Sequence, residues 1–484
     1  MIPHYLHEWL AGIIFVGAYA AIASDKFDKT KVALLGAALM LLLGIVSQEQ
    51  AFGGLEGVVE GVEQVVEAPR TPDTADPDHV APAVEERESA FETLLRSGLR
   101  SLPGVDWNTV FLLIGMMMVV GITKRTGVFQ WVAIKSAKLS GGDPLRIMLL
   151  LSVVTAVLSA GLDNVTTVLL IAPVTLVIAD ALDINPVPIL ICQIMASNIG
   201  GTATLVGDPP NIIIGSQAGL TFNQFLFNLT PVIFVVMIVY LFTVRLIFRN
   251  QLTASEEAKQ RILAFDESKA ITDPRLLRKC LVILGLIFVG FALHNRMGWE
   301  PATVALSGAA VLFFFSGLDT GEILEEVEWP TIFFFIGLFI MVGALVKVGI
   351  IHDLSKLILN LFGDNIFLLA MAVMWFSAVA SAVVDNIPYV AAMCPLVINL
   401  AEQLGLGVHS PQMMPIWWSL ALGACLGGNG TLVGASANVV VAGISRRAGH
   451  PIGFIQYLKY GAPLMVQTLI ISAVYVWFMY LRKL

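Results

Sequence analysis

Charge is what this sequence has least of. Of its 484 residues 13% are charged and 57% hydrophobic, against about 25% charged in an ordinary soluble domain, which excludes a water-soluble globular chain. Cysteine is scarce as well. Cys192, Cys280, Cys394 and Cys425 lie in or beside apolar segments without CxxC spacing. They read as small buried residues, not as a disulfide framework or a metal site. The chain has no Walker motif and no GxGxxG loop, which argues against an ATP-driven pump or a dinucleotide enzyme. No nucleophile, metal or cofactor constellation can be assembled from it either, so the expectation is a non-enzyme without cofactor, bound metal or nucleic-acid partner. The opening "MIPHYLHEWLAGIIFVGAYAA" lacks the basic n-region and small-residue cleavage site of a signal peptide and reads as a retained first helix.

What the chain does have is apolar length. Stretches able to cross a bilayer, about 20 residues each, recur throughout, for example at 10–24, 31–47, 110–123 and 231–248. The fold class implied is an all-α polytopic membrane protein.

Inside one such stretch stands "SAGLDNVTTVLLIAP" (159–173), and further on "SAVVDNIPYVAAMCP" (381–395), with Ser, Ala, Asp, Asn and Pro at identical spacing. The duplication is wide. "DWNTVFLLIGMMMVVGITKRTG" (106–127) lies over "EWPTIFFFIGLFIMVGALVKVG" (328–349) at an offset of 222, the offset that also relates Asp163 to Asp385. "VALLGAA" (32–38) matches "VALSGAA" (304–310) at an offset of 272, so the first half carries an insertion of 50 residues between its second and third helices. A second matched pair, "GGTATLVGDPPN" (200–211) and "GGNGTLVGASAN" (427–438), follows at an offset of 227. These Gly-rich polar breaks interrupt apolar segments in corresponding positions. Non-helical backbone at membrane depth is tolerated where it lines a cavity, so such breaks point to a transporter's binding site.

Loop charge sets orientation. Eight Lys/Arg between 245 and 279 place the central loop in the cytoplasm, together with Lys26, Lys29, Lys31, Lys124, Arg125, Arg446 and Arg447. Residues 49–105 hold twelve acids against four arginines, a net −8 equal to that of the whole protein, and belong outside, partly helical near 85–99. These placements agree only if 145–181 enters and leaves on one side, as a re-entrant hairpin with Asp163 at its tip. Residues 128–139 then form an amphipathic interfacial helix. Each half has five crossings, an odd number, so the repeats are inverted. The expected organisation is a first repeat (1–249), a basic cytoplasmic linker (250–279) and a second repeat (280–484), with ten transmembrane helices, two re-entrant hairpins, two discontinuous helices and both termini extracytoplasmic.

A charged aspartate at mid-membrane costs roughly 2.5–3.5 kcal/mol on insertion scales, so it binds or exchanges something. Asp163 and Asp385 are the expected proton or ion carriers. Asn164, Thr166, Gly200, Gly201, Thr202, Thr204 and Asn211 of the first half would line the site. Asn386, Gly427, Gly428, Asn429, Thr431, Ser436 and Asn438 would do so from the second. Asn198, Asp208 and Cys425 are secondary candidates: Asp208 precedes Pro209 and Pro210 and reads as the cap of a broken half-helix, and its counterpart is Ala435. The alternative for the glycines is close helix packing, and for a lone aspartate a helix cap. A polar, mostly uncharged lining suits a neutral hydroxyl-rich ligand or a dehydrated cation.

"SAGLDNVTTVLLIAPVT", "NIGGTATLVGDPPNIII" and "GACLGGNGTLVGASANVVVAGI" resemble the ion transporter superfamily, specifically its ArsB/NhaD permease branch and, within it, the pink-eyed-dilution P protein group. The resemblance covers nearly the whole chain outside 50–105. It implies an inverted-repeat secondary transporter of the bacterial inner (cytoplasmic) membrane, working by an elevator-like shift and often homodimeric. Two functions follow from it. The favoured one is proton-coupled export of arsenite or antimonite, with a cytoplasmic ATPase subunit as a candidate partner at the basic loop; the alternative is Na+/H+ antiport of the NhaD type. The superfamily's dicarboxylate carriers have Ser-Asn-Thr at the hairpin tips. Here the tips read Leu162-Asp163-Asn164 and Val384-Asp385-Asn386, and an aspartate repels a dianion, which ranks carboxylate or other anion transport lower.

Overall fold

The structure, a computed structural model, describes residues 4–23, 27–52 and 104–483. Most of the acidic insertion, with the helix expected at 85–99, lies outside them. Among the described residues the regular elements are all helical: α1 (His4–Ala23), α2 (Lys29–Leu42), α3 (Gln48–Phe52), α4 (Trp107–Lys124), α5 (Val128–Leu139), α6 (Pro144–Gly161), α7 (Asn164–Ala181), α8 (Val187–Gly201), α9 (Pro209–Ala218), α10 (Phe222–Phe248), α11 (Glu256–Leu263), α12 (Pro274–Met297), α13 (Pro301–Ser316), α14 (Thr320–Leu324), α15 (Trp329–Lys347), α16 (Ile350–Phe362), α17 (Ile366–Val383), α18 (Asn386–Gln403), α19 (Met414–Gly427), α20 (Ser436–Arg447) and α21 (Phe454–Met479). Nine of the described helices are long and apolar enough to cross a bilayer, and α8, α13 and α19 are shorter apolar helices.

Local chemistry sets the helix ends. Asp28, Asp143 and Asp273 accept backbone N–H bonds at the starts of α2, α6 and α12, and Pro144, Pro274 and Pro301 occupy first turns where no N–H is needed. Gly298 and Gly317 close α12 and α13 in the left-handed conformation.

The described helices form two compact units, one from the described residues of 1–106 with 333–356, the other from those of 107–332 with 357–483. In the larger unit α4 packs on α13 so closely that a Cβ on Gly115 would lie 2.8 Å from the Ala305 carbonyl carbon. In the smaller unit a Cβ on Gly337, in α15, would lie 2.7 Å from the carbonyl carbon of Ala33, in α2. Gly115 and Gly337 are the pair at offset 222, and Ala33 and Ala305 the pair at offset 272. One contact is thus made twice with the halves exchanged, and small residues permit it because backbones can then approach without intervening side chains.

The linker is folded against α5. Lys138 and Lys135 both hold Glu267, Thr272 N donates to Thr126 O at 3.0 Å, and Thr272 Oγ1 donates to Arg125 O at 2.6 Å. Gly127, at φ 78°, admits this contact, since any Cβ there would run into the Ala270 carbonyl. The Lys138 and Lys135 ammonium groups hold the Glu267 carboxyl down to about 2.

Two outcomes follow. Gly115→Val should lower the melting temperature of the purified protein through about 1–3 kcal/mol of overpacking, whereas Gly285→Val, whose Cβ meets nothing within 4 Å, should not. Because folding depresses the Glu267 pKa, its contribution to linker docking is complete above the ordinary value of 4.5 and is lost as pH falls towards about 2. Glu267→Gln removes it at every pH, so trypsin at neutral pH should cut within 256–279 faster in that variant than in the wild type.

Candidate functional site

Each aspartate of the duplicated motif sits where one apolar helix stops and the next begins. After α6 the chain extends through Leu162, and Asp163 caps α7: its Oδ1 accepts from Thr166 N at 2.8 Å and its Oδ2 from the Thr166 hydroxyl. After α17 it extends through Val384, and Asp385 caps α18: its Oδ1 accepts from Ile387 N at 3.2 Å and its Oδ2 from Ser436 Oγ at 2.6 Å. Asp163 is buried and Asp385 half-buried. The donors differ for a reason visible in the alignment of the halves. Thr166 corresponds to Pro388, which has no hydroxyl, and Ser436 corresponds to Pro209. Each carboxylate therefore has a hydroxyl donor, drawn from its own helix in one half and from the broken helix in the other.

The two breaks, between α8 and α9 and between α19 and α20, are held by one repeated set of bonds. A Cβ on Gly200 would stand 2.1 Å from Ala156 O and one on Gly427 2.6 Å from Ala378 O, so these glycines let α8 lie on α6 and α19 on α17. Ser159 Oγ donates to Ser197 O at 2.7 Å and Ser381 Oγ to Ala424 O at 2.6 Å. Thr204 Oγ1 donates to Ala160 O at 2.6 Å and Thr431 Oγ1 to Ala382 O at 2.5 Å. Carbonyls released by the breaks are met by side-chain amides. Asn211 Nδ2 reaches Thr202 O and Thr204 O at 3.1 and 2.9 Å, while Asn438 Nδ2 reaches Gly428 O and Thr431 O at 2.7 and 2.9 Å. Gly201 and Gly428 lie against Gly207 and Gly434 across their own breaks. The threonines expected to line the site thus tie it together: Thr202 Oγ1 also donates inward, to Asn198 O at 2.7 Å.

Asn198 joins the halves. Buried and near the end of α8, it donates to Asn429 Oδ1 at 2.9 Å and Asn438 Oδ1 at 3.0 Å, and accepts from Asn164 Nδ2 at 3.0 Å. Its counterpart at offset 227 is Cys425, whose thiol lies 3.5 Å from Asn211 Oδ1, the equivalent of the Asn198–Asn438 contact with the halves exchanged. Consistently, α7 packs on α20 and α18 on α9. Asn164 Oδ1, Thr167 Oγ1, Asn386 Nδ2 and both carboxylate oxygens of Asp208 are buried without a hydrogen-bond partner. The sequence reading missed Ser159, Ser381 and Thr167. The signal for the two serines was present, since they open the duplicated motif.

The charge of the site follows from composition. Between Arg146 and Arg245 there is no Lys, Arg or His, and between Lys356 and Arg446 only His409. The stretches 147–244 and 357–445 therefore bring Asp163, Asp208 and Asp385 to the site with no lysine or arginine, the nearest arginines being Arg146 at the start of α6 and Arg446 and Arg447 at the far end of α20. This field attracts cations, admits neutral solutes and opposes a bare anion.

The family profile described as a citrate transporter, CitMHS, matches residues 90–423. An uncharacterized transporter of Mycobacterium tuberculosis is 44% identical over 471 residues, covering 97% of this chain and 98% of its own. The P protein of Homo sapiens is 33% identical over 452 residues, covering 77% of this chain and 53% of that protein. The solved structure of the YdaH transporter of Alcanivorax borkumensis aligns over 93% of this chain and 98% of its own, with a TM-score of 0.54 at 14% identity, a likeness of fold.

Asn198→Ala should lower the melting temperature and impair transport. It leaves Asn429 and Asn438 without their buried donor, a loss of about 1–3 kcal/mol for each unsatisfied group; an unchanged melting temperature would remove Asn198 from the framework of the site.

Proposed function

The chain belongs to the CitMHS citrate-transporter family, and from that premise we propose that this multi-pass membrane transporter is a secondary carrier that exchanges protons for a small cation at Asp163 and Asp385. The observation that carries the reading is the pair of aspartates itself. They stand at equivalent positions, each beside a broken helix, in segments devoid of lysine and arginine. A hard cation such as sodium takes oxygen ligands, and the carboxylates, Thr166, Ser436 and backbone carbonyls of the breaks are the oxygens on offer. Proton and cation compete for the same carboxylates, and that competition couples their movements.

The exchanged-halves contacts support an inverted repeat: Gly115 on Ala305 against Gly337 on Ala33, and Asn198 on Asn438 against Cys425 on Asn211. Related halves packed in this way suit alternating access, with the hairpin tips and breaks moving as one body in an elevator-like shift. The free citrate trianion is a poor cargo for such a field. A carboxylate would enter it only with its charge neutralised by bound cations or protons.

Arsenite is a second reading with its own observation. At neutral pH it is an uncharged trihydroxide, the lining is rich in amides and hydroxyls, and the Cys425 thiol lies within the site. A single thiol can bind As(III) reversibly where a cluster of three would retain it. In this reading Asp163 and Asp385 supply the proton exchange that drives export, as they would in a member of the ArsB/NhaD branch.

Everted membrane vesicles energised to an acidic interior separate these readings, with sodium-induced proton release and arsenite accumulation measured in one preparation. Proton release on adding sodium, without arsenite accumulation, is the expected result; accumulation that collapses with the proton gradient would make arsenite the cargo. Asp163→Asn and Asp385→Asn should each fold and each reduce coupled transport by more than about tenfold, the effect of losing a ligand contribution above about 1.4 kcal/mol. Normal coupled transport in both variants would sink the assignment.

A further inference from the structure

Asp208 was expected to cap a broken half-helix, and it does not. It occupies the residue before α9, yet its side chain makes no capping bond, and both carboxylate oxygens are buried without a hydrogen-bond partner. Its relative exposure is 0%. The sequence explains the missing bonds: Pro209 and Pro210 have no N–H to offer, and Asn211 N donates to the Asp208 backbone carbonyl at 3.0 Å. The second half has Ala435 at this position, so the acid occurs once in the site and serves no repeated framework role. The two tip aspartates, by contrast, do cap their helices.

The groups facing Asp208 come from the elements packed on α9. The Cys425 thiol of α19 and the Asn386 amide of α18 lie close enough to act on its carboxyl, and the carboxylates of Asp385 and Asp163 act on it through space. From α4, the third helix packed on α9, the only charged residue is Lys124, which is paired with Glu326. No cation compensates Asp208 among these groups. An ionised carboxylate out of water with no counter-charge, and only a thiol and an amide near it, is strongly unfavourable. A proton neutralises such a group with no ligand beyond the carboxylate itself, whereas a sodium ion needs several oxygens around it.

Building on the transporter reading above, we propose that Asp208 is a third cation-carrying carboxylate of the site, a proton site without a counterpart in the other half, which holds its proton while the site is closed and exchanges it with water when that end of α9 is hydrated. A hydronium ion gives up its proton to one Asp208 oxygen when the site is hydrated from one side, and that O–H bond later breaks to return the proton to water on the other. The carrier then has an odd, asymmetric complement of titrating groups on a duplicated framework.

Infrared spectroscopy of the full-length protein in lipid tests this without knowledge of the cargo. At neutral pH the wild type should show a protonated carboxylic-acid C=O band that shifts in deuterium oxide. Asp208→Asn should remove that component, and Asp208→Glu should keep it at an altered frequency. A carboxylic-acid region identical in the wild type and Asp208→Asn would overturn the proposal. With sodium chloride as the probe, Asp208→Asn should release fewer protons per chain than the wild type and should transport at a reduced but measurable rate. Equal proton release and wild-type rates in Asp208→Asn would also overturn it. An Asp208-dependent acid band in a wild type that moves no protons with either sodium or arsenite would uphold the proton site and instead refute the proposed cargo.

Discussion

The structure depends on one constraint: backbone that leaves the helical path inside an apolar environment must have its polar groups met by the protein itself. Two segments, 202–208 and 428–435, leave that path. The side chains around them answer the constraint in the same way twice. Serine and threonine hydroxyls tie each break to its neighbouring helices, an asparagine three residues into the next half-helix receives the released carbonyls, and glycines bring the helices near enough for those short side chains to reach. The residues that look like a ligand cage in the sequence are in large part the scaffold that permits a cage to exist.

Duplication then supplies function by imperfect copying. The framework bonds and the two tip aspartates recur in both halves, but the groups around those aspartates do not. Proline and a hydroxyl residue trade places between the halves at 166/388 and 209/436, so Asp163 is served locally and Asp385 from the broken helix. Asparagine in one half becomes cysteine in the other at 198/425, leaving a strong amide bridge on one side of the relation and a weak thiol contact on the other. Aspartate becomes alanine at 208/435. Where the copies agree outside the tip aspartates, the shared side chains hold backbone. Where they differ, the local chemistry of the two halves parts.

Charge acts at longer range. Stretches of nearly a hundred residues without lysine or arginine on both sides of the site leave its aspartates uncompensated by their own segments, while the basic residues gather in loops such as the linker folded on α5. The separation leaves acidic groups at the duplicated site and basic groups in the loops.

Much of this was legible in the sequence. Low charge and long apolar runs gave an all-helical membrane chain, constant offsets gave the repeated motifs, and glycine-rich polar interruptions marked the breaks, because these properties are local in composition or strictly periodic. The helix at Val128–Leu139 and both aspartates at helix junctions lie where spacing put them. Only tertiary structure decided which side chain bonds to which. Asn198 and Asn438 are 240 positions apart, and no local pattern announces that meeting. It also separated the aspartates that cap from the one that does not, because a cap requires a donor N–H in reach, and two consecutive prolines denied Asp208 that donor while the packing of α9 on α18 and α19 closed it off from water.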